Sequence, residues 1–548
     1  MVDMTRKAAG HQQTGKPAGH PSTTLALAGI LAIAAAVRLY FMRDWLNYDE
    51  SMHYLVTMSP LGEDFVREFR LRAHPPLSYL AMKPLLVASG GSASAAWVRA
   101  VPFVAGLAGV AIAFNLLRRV TQNLGAATLG ALVISFVPVL VQQSIIVRSY
   151  SLALLFLWLG LALALRIQND RDESLRNHIG LALVQVGALF SEYTTLTAVI
   201  PLSLIVYLPL TKKLFQRRQL GRLVELAALQ LAAAGSALAI FLWHFGGLVP
   251  SFPHTEGATF LGGTDFAAMG SFLGMHFPLF IAGLLDGPWG YGLLALAWLP
   301  LTALLKRHPH AKVARQVALY SALSVLLLLL LTLGGLLPLG GPPRHVAALL
   351  PGLFASAIIA ATLVVELLFR AGAPRRVAAL LLVAIALAAC IQGLDRLSQF
   401  RNSYYTLSDR GHVSEYLSNP APMAVNNRAR SLLSWWFLPE RTPRRSSYAM
   451  LSHQFDYEGI PVLESPNAAK LLVDALTLVR QYGRAWILYS NLKNDADLSN
   501  TYKTLQQGLA ADPSVRVLFA QKNDLFVIPS ILIAIEKIPP PDRRVPAP

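Results

Sequence analysis

Two adjacent carboxylates, Asp49 and Glu50, stand in the segment Asn47-Tyr48-Asp49-Glu50-Ser51-Met52-His53-Tyr54, directly after the first long apolar run of the chain. A carboxylate at a membrane surface can take a proton from an acceptor hydroxyl. Topology does not require it there, because acids contribute little to the orientation of membrane helices. An aspartate at such a boundary can equally cap a helix, and spacing alone leaves both readings open. Downstream come Arg72-Ala73-His74-Pro75-Pro76-Leu77-Ser78-Tyr79 and then Lys83. The two prolines suit the start of a short helix over roughly 76–88. Lys83 on that helix either snorkels to the interface or meets an anion. Arg148 with Tyr150, Glu192 with Tyr193, and Arg344 with His345 all fall at the ends of further apolar runs. Ionisable groups beside an apolar slab are costly and point to function. Lysine and arginine at that depth are natural partners for a lipid-linked phosphate, with arginine able to bind it through two parallel bonds. They would also stabilise charge growing on a departing phosphate.

The elements that must position these groups are membrane helices. Of 548 residues, 54% are hydrophobic and 14% charged, and the mean hydropathy is +0.48. A soluble domain carries about 25% charged residues, so this chain lacks the charge to clothe a water-facing surface. Runs such as 24–40, 321–338 and 377–391 are nearly free of charge, and segments of about 17–25 apolar residues match the hydrocarbon thickness.

Hydropathy punctuated by Lys and Arg places eleven spans near 23–42, 94–117, 124–143, 147–166, 178–191, 194–210, 224–245, 288–305, 316–337, 346–369 and 377–394. With a cytoplasmic N-terminus, one set of loops collects Arg118 and Arg119, then Arg166, Arg171 and Arg176, then Lys212, Lys213, Arg217, Arg218 and Arg222. The same side receives Lys306, Arg307, Lys312, Arg315, Arg370, Arg375 and Arg376, while the loop 246–287 on the other side has no Lys or Arg. That alternation is what the positive-inside rule demands. It puts Asp49, Arg148, Glu192 and Arg344 on one face, outside the cytoplasm. The expected organisation is a cytoplasmic disordered tail over 1–22, a transmembrane domain over 23–397 whose first outer loop, 43–93, carries the acid pair, and a periplasmic α/β domain over 398–538. In that domain Trp486–Tyr489, Val515–Phe519 and Leu525–Ile528 read as strands and Asn467–Tyr482 as a helix. The Pro-rich tail 539–548 reads as disordered.

Several function classes fall away. The net charge of +17 is spent on topology, so no nucleic-acid partner is expected. The single cysteine, Cys390, lies in an apolar run and builds neither a disulfide framework nor a metal site. The first apolar run is too long for a signal-peptide core and is followed by no small-residue cleavage site, which makes it an uncleaved span. No phosphate loop of the GxGxxG or GxxxxGK[ST] type is present, disfavouring a soluble nucleotide substrate, and no His/Cys cluster has zinc spacing. No cofactor or metal is required. A lipid or glycolipid transporter or flippase is the alternative from another class. It would place polar groups at the bilayer midplane between inverted repeats, whereas here they gather at one face. A scaffold would leave the acid pair and the arginines without a purpose.

Taken in order, Tyr48-Asp49-Glu50, His74-Pro75-Pro76-Leu77, Arg99-x-x-Pro102, Arg148-x-Tyr150 and Arg344-His345 with Leu349-Leu350-Pro351 resemble the bacterial branch of glycosyltransferase family 39. That group is similar to the dolichyl-phosphate-mannose protein mannosyltransferases and the lipid A aminoarabinose transferases. The resemblance covers about residues 24–370 and is carried mainly by the acid pair and the His-Pro-Pro-Leu motif. It implies a GT-C membrane fold in the bacterial inner membrane. It also implies inverting transfer of a sugar from a polyprenyl-phosphate donor, on the periplasmic face, to lipid A, a glycan, another lipid or a protein. Asp49 would then be the catalytic base, with Glu50 beside it shaping the acceptor site. Lys83, Arg148, Arg344 and His345 would be donor-phosphate contacts, and His53, His74, Tyr150, Glu192 and Tyr193 acceptor or sugar contacts. Two departures bear on substrate choice. Ile145-Ile146-Val147 stand where many relatives have Gln-Glu-Ala, and Glu192 stands where many have histidine.

Overall fold

A computed structural model describes residues 21–42, 50, 53–54, 56–57, 62, 65–66, 75–88, 95–169, 174–245, 266–285, 289–302, 310–337, 339, 343–370, 375–403, 421–425, 454–457, 460–465, 467–490, 495–523 and 530–539. Long helices dominate the chain up to Ser403, and a mixed sheet with two helices follows. Among the described residues, eight helices are long and apolar enough to cross a membrane, or nine if one bent pair counts as a span. Helix α1 is Pro21–Phe41 and α2 is Leu77–Ala88; after a single turn at Ala95–Val98 comes α3, Ala100–Thr121. Then follow α4 (Leu124–Phe136), α5 (Pro138–Ile145), α6 (Tyr150–Asn169), α7 (Leu175–Ser191), α8 (Leu196–Gln216) and α9 (Leu220–Phe245). The bundle closes with α10 (Phe266–Leu285), α11 (Trp289–Trp298), α12 (Ala311–Leu333), α13 (Leu350–Arg370) and α14 (Arg375–Ser403).

A helix stands at each of the eleven expected spans, with three differences. The third span is broken: α4 and α5 meet at 61°. Pro138 opens α5, with Val137 before it extended at φ −60°, ψ 117°. A proline restricts the preceding residue to extended backbone and lacks the N–H that would continue the ladder. The span expected at 288–305 is a shorter helix, α11, with 10 residues. The segment 246–287, expected to be a loop, contains the 20-residue helix α10. The segment lacks Lys and Arg, which suits an outer loop, but its second half is apolar over a helix's length. Phe280, Ile281 and Leu284 of α10 are buried in the bundle core.

The core runs through α3, α6, α8, α12 and α13, with Phe114, Trp158, Leu202, Tyr320 and Phe354 among its buried side chains. Bilayer lipid is as apolar as leucine, so close helix packing rests on shape and on small residues. Gly130 leaves no room for a Cβ beside Ile358 and Leu117, and Gly352 none beside Tyr320. The basic side chains Arg118 and Arg119 end α3, Arg166 ends α6 and Lys213 sits in the last turn of α8. The ends of these helices that lie nearest Glu50, Arg99 and Glu192 are the opposite ones.

Beyond α14, which runs past the boundary expected at residue 398, six strands form one sheet in the order β2-β3-β1-β4-β6-β5. They are β1 (Met423–Val425), β2 (Gln454–Tyr457), β3 (Ile460–Glu464), β4 (Arg484–Ser490), β5 (Val515–Asn523) and β6 (Ser530–Lys537). Central β1 runs parallel to β3 and β4, and the other pairs are antiparallel. Helices α15 (Ala468–Tyr482) and α16 (Asp495–Ala510) bury Leu471, Leu478, Leu498 and Leu505 against Ile487, Ile531, Ile533 and Ile535. The odd-numbered isoleucines share one face because strand side chains alternate. Asn467 caps α15 by accepting from Lys470 N–H at 2.9 Å, and Gly483 closes it at φ 81°. The strand read at Leu525–Ile528 and the tail from 540 onward lie outside the described residues.

Candidate functional site

Glu50 is fully buried, and so is Arg99. Arg99 precedes α3, and its guanidinium donates twice to Glu50, Nε to Oε1 at 2.8 Å and Nη2 to Oε2 at 3.0 Å. A third bond comes from the backbone N–H of Val147, which reaches Oε1 at 2.9 Å. One carboxylate therefore ties together the segment after α1, the start of α3, and the four-residue link 146–149 between α5 and α6. Two parallel charge-assisted bonds fix geometry as well as charge. Glu50 is thereby a holder of backbone, with both carboxylate oxygens taking bonds from protein donors. Asp49 lies outside the described residues.

The link 146–149 carries Arg148 and Ser149. Arg148 is half-buried, and its backbone N–H donates to Ile146 O at 2.9 Å. Ser149 Oγ donates to Glu192 Oε2 at 3.0 Å, joining the start of α6 to the end of α7. Glu192 is buried and is the C-cap of α7 in extended conformation, and its carbonyl accepts from Thr195. Its neighbour Tyr193 pairs its hydroxyl with His244 Nδ1 at 2.8 Å, in the last turn of α9. Tyr150, buried, opens α6. The 3-10 segment Pro343–Leu349 packs against Tyr193–Thr195, α5, α6 and α10. It holds the positions of Arg344 and His345, whose side chains lie outside the described residues.

A second cluster surrounds α2. His53 Nε2 and Ser78 Oγ are 3.0 Å apart, and the His53 ring stacks on Tyr79 with centroids at 3.9 Å. Lys83 Nζ donates to Thr57 O at 2.8 Å and stands 5.0 Å from the Phe65 ring centroid. Burial holds its ammonium below the ordinary lysine value. Lysine and histidine thus lace the segment after α1 onto α2, and α2 in turn packs on α7. His74 lies outside the described residues. Among the described residues no group of three His, Cys, Asp or Glu could hold a metal ion.

One contributor escaped the sequence reading. Arg38, near the end of α1, is 1% exposed and donates from Nε to Ser144 Oγ at 2.8 Å and from Nη1 to Ala34 O at 3.1 Å. An arginine inside an otherwise apolar span is a signal in its own right, and its place beside the run's end disguised it as an interfacial residue.

No family model and no curated protein matches the sequence. Two solved structures of ArnT from Cupriavidus metallidurans match the chain at 14% identity, each over 94% of this chain and 98% of theirs. One is in the apo state, with a TM-score of 0.55, and the other is bound to undecaprenyl phosphate, with a TM-score of 0.52. The archaeal oligosaccharyltransferase AglB from Archaeoglobus fulgidus, in complex with an inhibitory peptide and a dolichol-phosphate, aligns over 89% of this chain and 72% of its own at 13% identity, with a TM-score of 0.44. The architecture is the GT-C membrane fold, with a C-terminal sheet domain appended to the helices.

Proposed function

We propose that this protein is a membrane glycosyltransferase that moves a sugar from a polyprenyl-phosphate carrier to a hydroxyl acceptor at the periplasmic face of a bacterial inner membrane. The carrying observation is the Glu50 clamp, which brings the acid-pair segment, Arg99 and the Arg148 link to one point. It does so in the fold shared with ArnT, one of whose structures holds undecaprenyl phosphate.

In this reading Asp49 accepts the proton of the acceptor hydroxyl as its oxygen attacks the anomeric carbon. The bond from that carbon to the phosphate oxygen breaks, and the polyprenyl phosphate leaves with the electron pair. The configuration at the carbon inverts. Arg148 and Arg344, with His345 and Lys83 nearby, bind the phosphate and offset its growing charge. His53, His74, Tyr150, Glu192 and Tyr193 border the sugar and the acceptor, which is lipid A, a glycan, another lipid or a protein. No cofactor enters these steps. Purified protein in liposomes with a labelled polyprenyl-phosphate sugar and envelope extract tests the reading. Transfer of label, abolished in Asp49→Asn, is expected. Full transfer by that variant would remove the base from the mechanism, and absence of transfer to any envelope fraction would remove the function.

A further inference from the structure

The end of α5 is held by a contact that spans more than a hundred residues of sequence. Arg38 Nε donates to Ser144 Oγ, which itself donates to Val141 O at 2.7 Å. Arg38 also ties back to its own helix at Ala34 O, so α1 grips α5 through one guanidinium. Among the described residues no carboxylate stands in ion-pair range of Arg38. A buried charge with neutral partners is expensive, and a purely structural contact between two helices could be made by apolar side chains. The third wall is Gly106 of α3. A Cβ there would lie 2.3 Å from Ser144 Cβ and 3.3 Å from Arg38 Nε, so glycine is what lets α3 approach the pair.

The grip sits where the backbone has least support of its own. The break at Val137 and Pro138 frees α5 from α4, and helix order stops again after Ile145. Three residues past Ser144, Val147 N–H holds Glu50, and the next residue is Arg148. With both ends of α5 broken, the direction of the link 146–149 depends on where α5 is pinned. The surrounding apolar contacts of Val37, Phe41, Val141, Ile145 and Leu397 fix distance but not rotation, because dispersion and hydrophobic contact are non-directional.

We infer that Arg38 is a positioning residue: through Ser144 and the space left by Gly106 it sets the orientation of α5, and thereby places the Val147–Glu50 bond and Arg148. This extends the proposed function, since Arg148 is its candidate phosphate contact, but the placement stands whether or not that reading holds.

Hydrogen exchange of the full-length protein in nanodiscs tests the placement without any substrate. In Arg38→Met and in Ser144→Ala, the Val147 amide is expected to exchange about ten- to a hundredfold faster, the range for losing a hydrogen bond to a charged group. The amides of α13 and of β4 should keep their protection. Gly106→Ala should give the same local signature with Arg38 intact, because its Cβ displaces Ser144. Unchanged Val147 exchange in folded Ser144→Ala and Arg38→Met would overturn the inference, and so would loss of protection spread evenly over the bundle. A second measurement separates it from the functional reading. Synthetic undecaprenyl phosphate should bind about tenfold or more weakly to Ser144→Ala and to Arg148→Ala alike. If Arg148→Ala binds normally while Val147 exchange responds as expected, the phosphate assignment fails and the positioning role stands.

Discussion

Removing Arg99 should be among the most damaging single changes in the protein, and the geometry sets the size of the effect. Arg99→Met takes two charge-assisted bonds from the buried Glu50 carboxylate and leaves the Val147 N–H bond in place. Breaking one side of a buried pair costs about 3–5 kcal/mol, because the surviving charge loses the guanidinium that offset its desolvation. An exposed pair would cost at most about 1 kcal/mol, and with side-chain exposures of 1% and 0% this pair belongs to the buried class. The double variant Glu50→Leu with Arg99→Met removes both charges together, and with them the acceptor of the Val147 N–H. It should recover well over half of the single variant's loss, since replacing a whole buried pair by apolar residues is often neutral in stability. Unfolding in mild detergent, followed by tryptophan fluorescence against denaturant concentration, reads the order of Arg99→Met, Glu50→Leu and the double variant. Arg99→Met losing less than about 1 kcal/mol, or the double variant being simply the sum of the singles, would refute the clamp. Activity should separate from stability: the double variant folds but should transfer sugar poorly, because the anchor that ties the Asp49 segment to Arg99 and Val147 is then gone.

Asp49→Asn should lower turnover by roughly 10²–10⁴-fold, the range for loss of a general base, with undecaprenyl phosphate binding unchanged; a helix-cap role predicts full activity, because asparagine caps as well as aspartate. Cysteine labelling in intact cells should reach positions 49, 192 and 344 from the periplasm and 217 and 375 only after permeabilisation. Gly393→Ala should destabilise the bundle by about 1–3 kcal/mol, the usual cost of overpacking, because its Cβ would stand 2.3 Å from the Phe136 carbonyl oxygen where no side chain can swing aside; a thermal melt unchanged from the parent would contradict it. In the sheet domain, hydrogen bonds from the Ser514 hydroxyl and amide, with Arg480 beyond them, hold the Asp512 carboxyl below its ordinary value of 3.8. A depressed carboxylate stabilises the fold above its unfolded pKa and loses that contribution as pH falls through the folded one. The small difference in domain melting between parent and Asp512→Asn should therefore be fully present at neutral pH and shrink progressively as pH falls below about 3.8; a gap that widens on acidification would be the wrong sign.

Membrane helices were legible in the sequence for a simple reason: lipid imposes length and apolarity on every span, and topology sorts the basic loops. The same pressure hid α10, whose apolar length falls in a segment read as an outer loop for want of Lys and Arg. It also hid the break at Pro138, since hydropathy averages over a window that cannot register a change of direction. In the sheet domain, β4 and α15 announced themselves by periodicity and caps, whereas α16, rich in Asn, Asp, Gln and Thr, carries few of the apolar residues that mark a helix face.

Glu50 shows most clearly where sequence reasoning stops. Its type and its place beside Asp49 suggested chemistry for both acids, and nothing along the chain distinguishes a carboxylate that reacts from one that holds. The distinction lies in partners 49 and 97 residues away. Arg99 could be named in advance only as part of the Arg99-x-x-Pro102 motif that carries the family resemblance, not as the partner of Glu50. Val147 could not, for its contribution is a backbone N–H, and every residue except proline has one. That N–H is available to Glu50 only because helix order lapses between Ile145 and Tyr150, and the place of that lapse depends on Pro138, on Ser144 and on an arginine in the first helix. The link 146–149 is thus aimed by Arg38 on α1, Gly106 on α3 and Ser144 on α5, and of these elements only α5 adjoins it in sequence. Substitutions at Arg38, Gly106 and Ser144 should accordingly resemble active-site lesions in activity while leaving the acid pair itself unaltered.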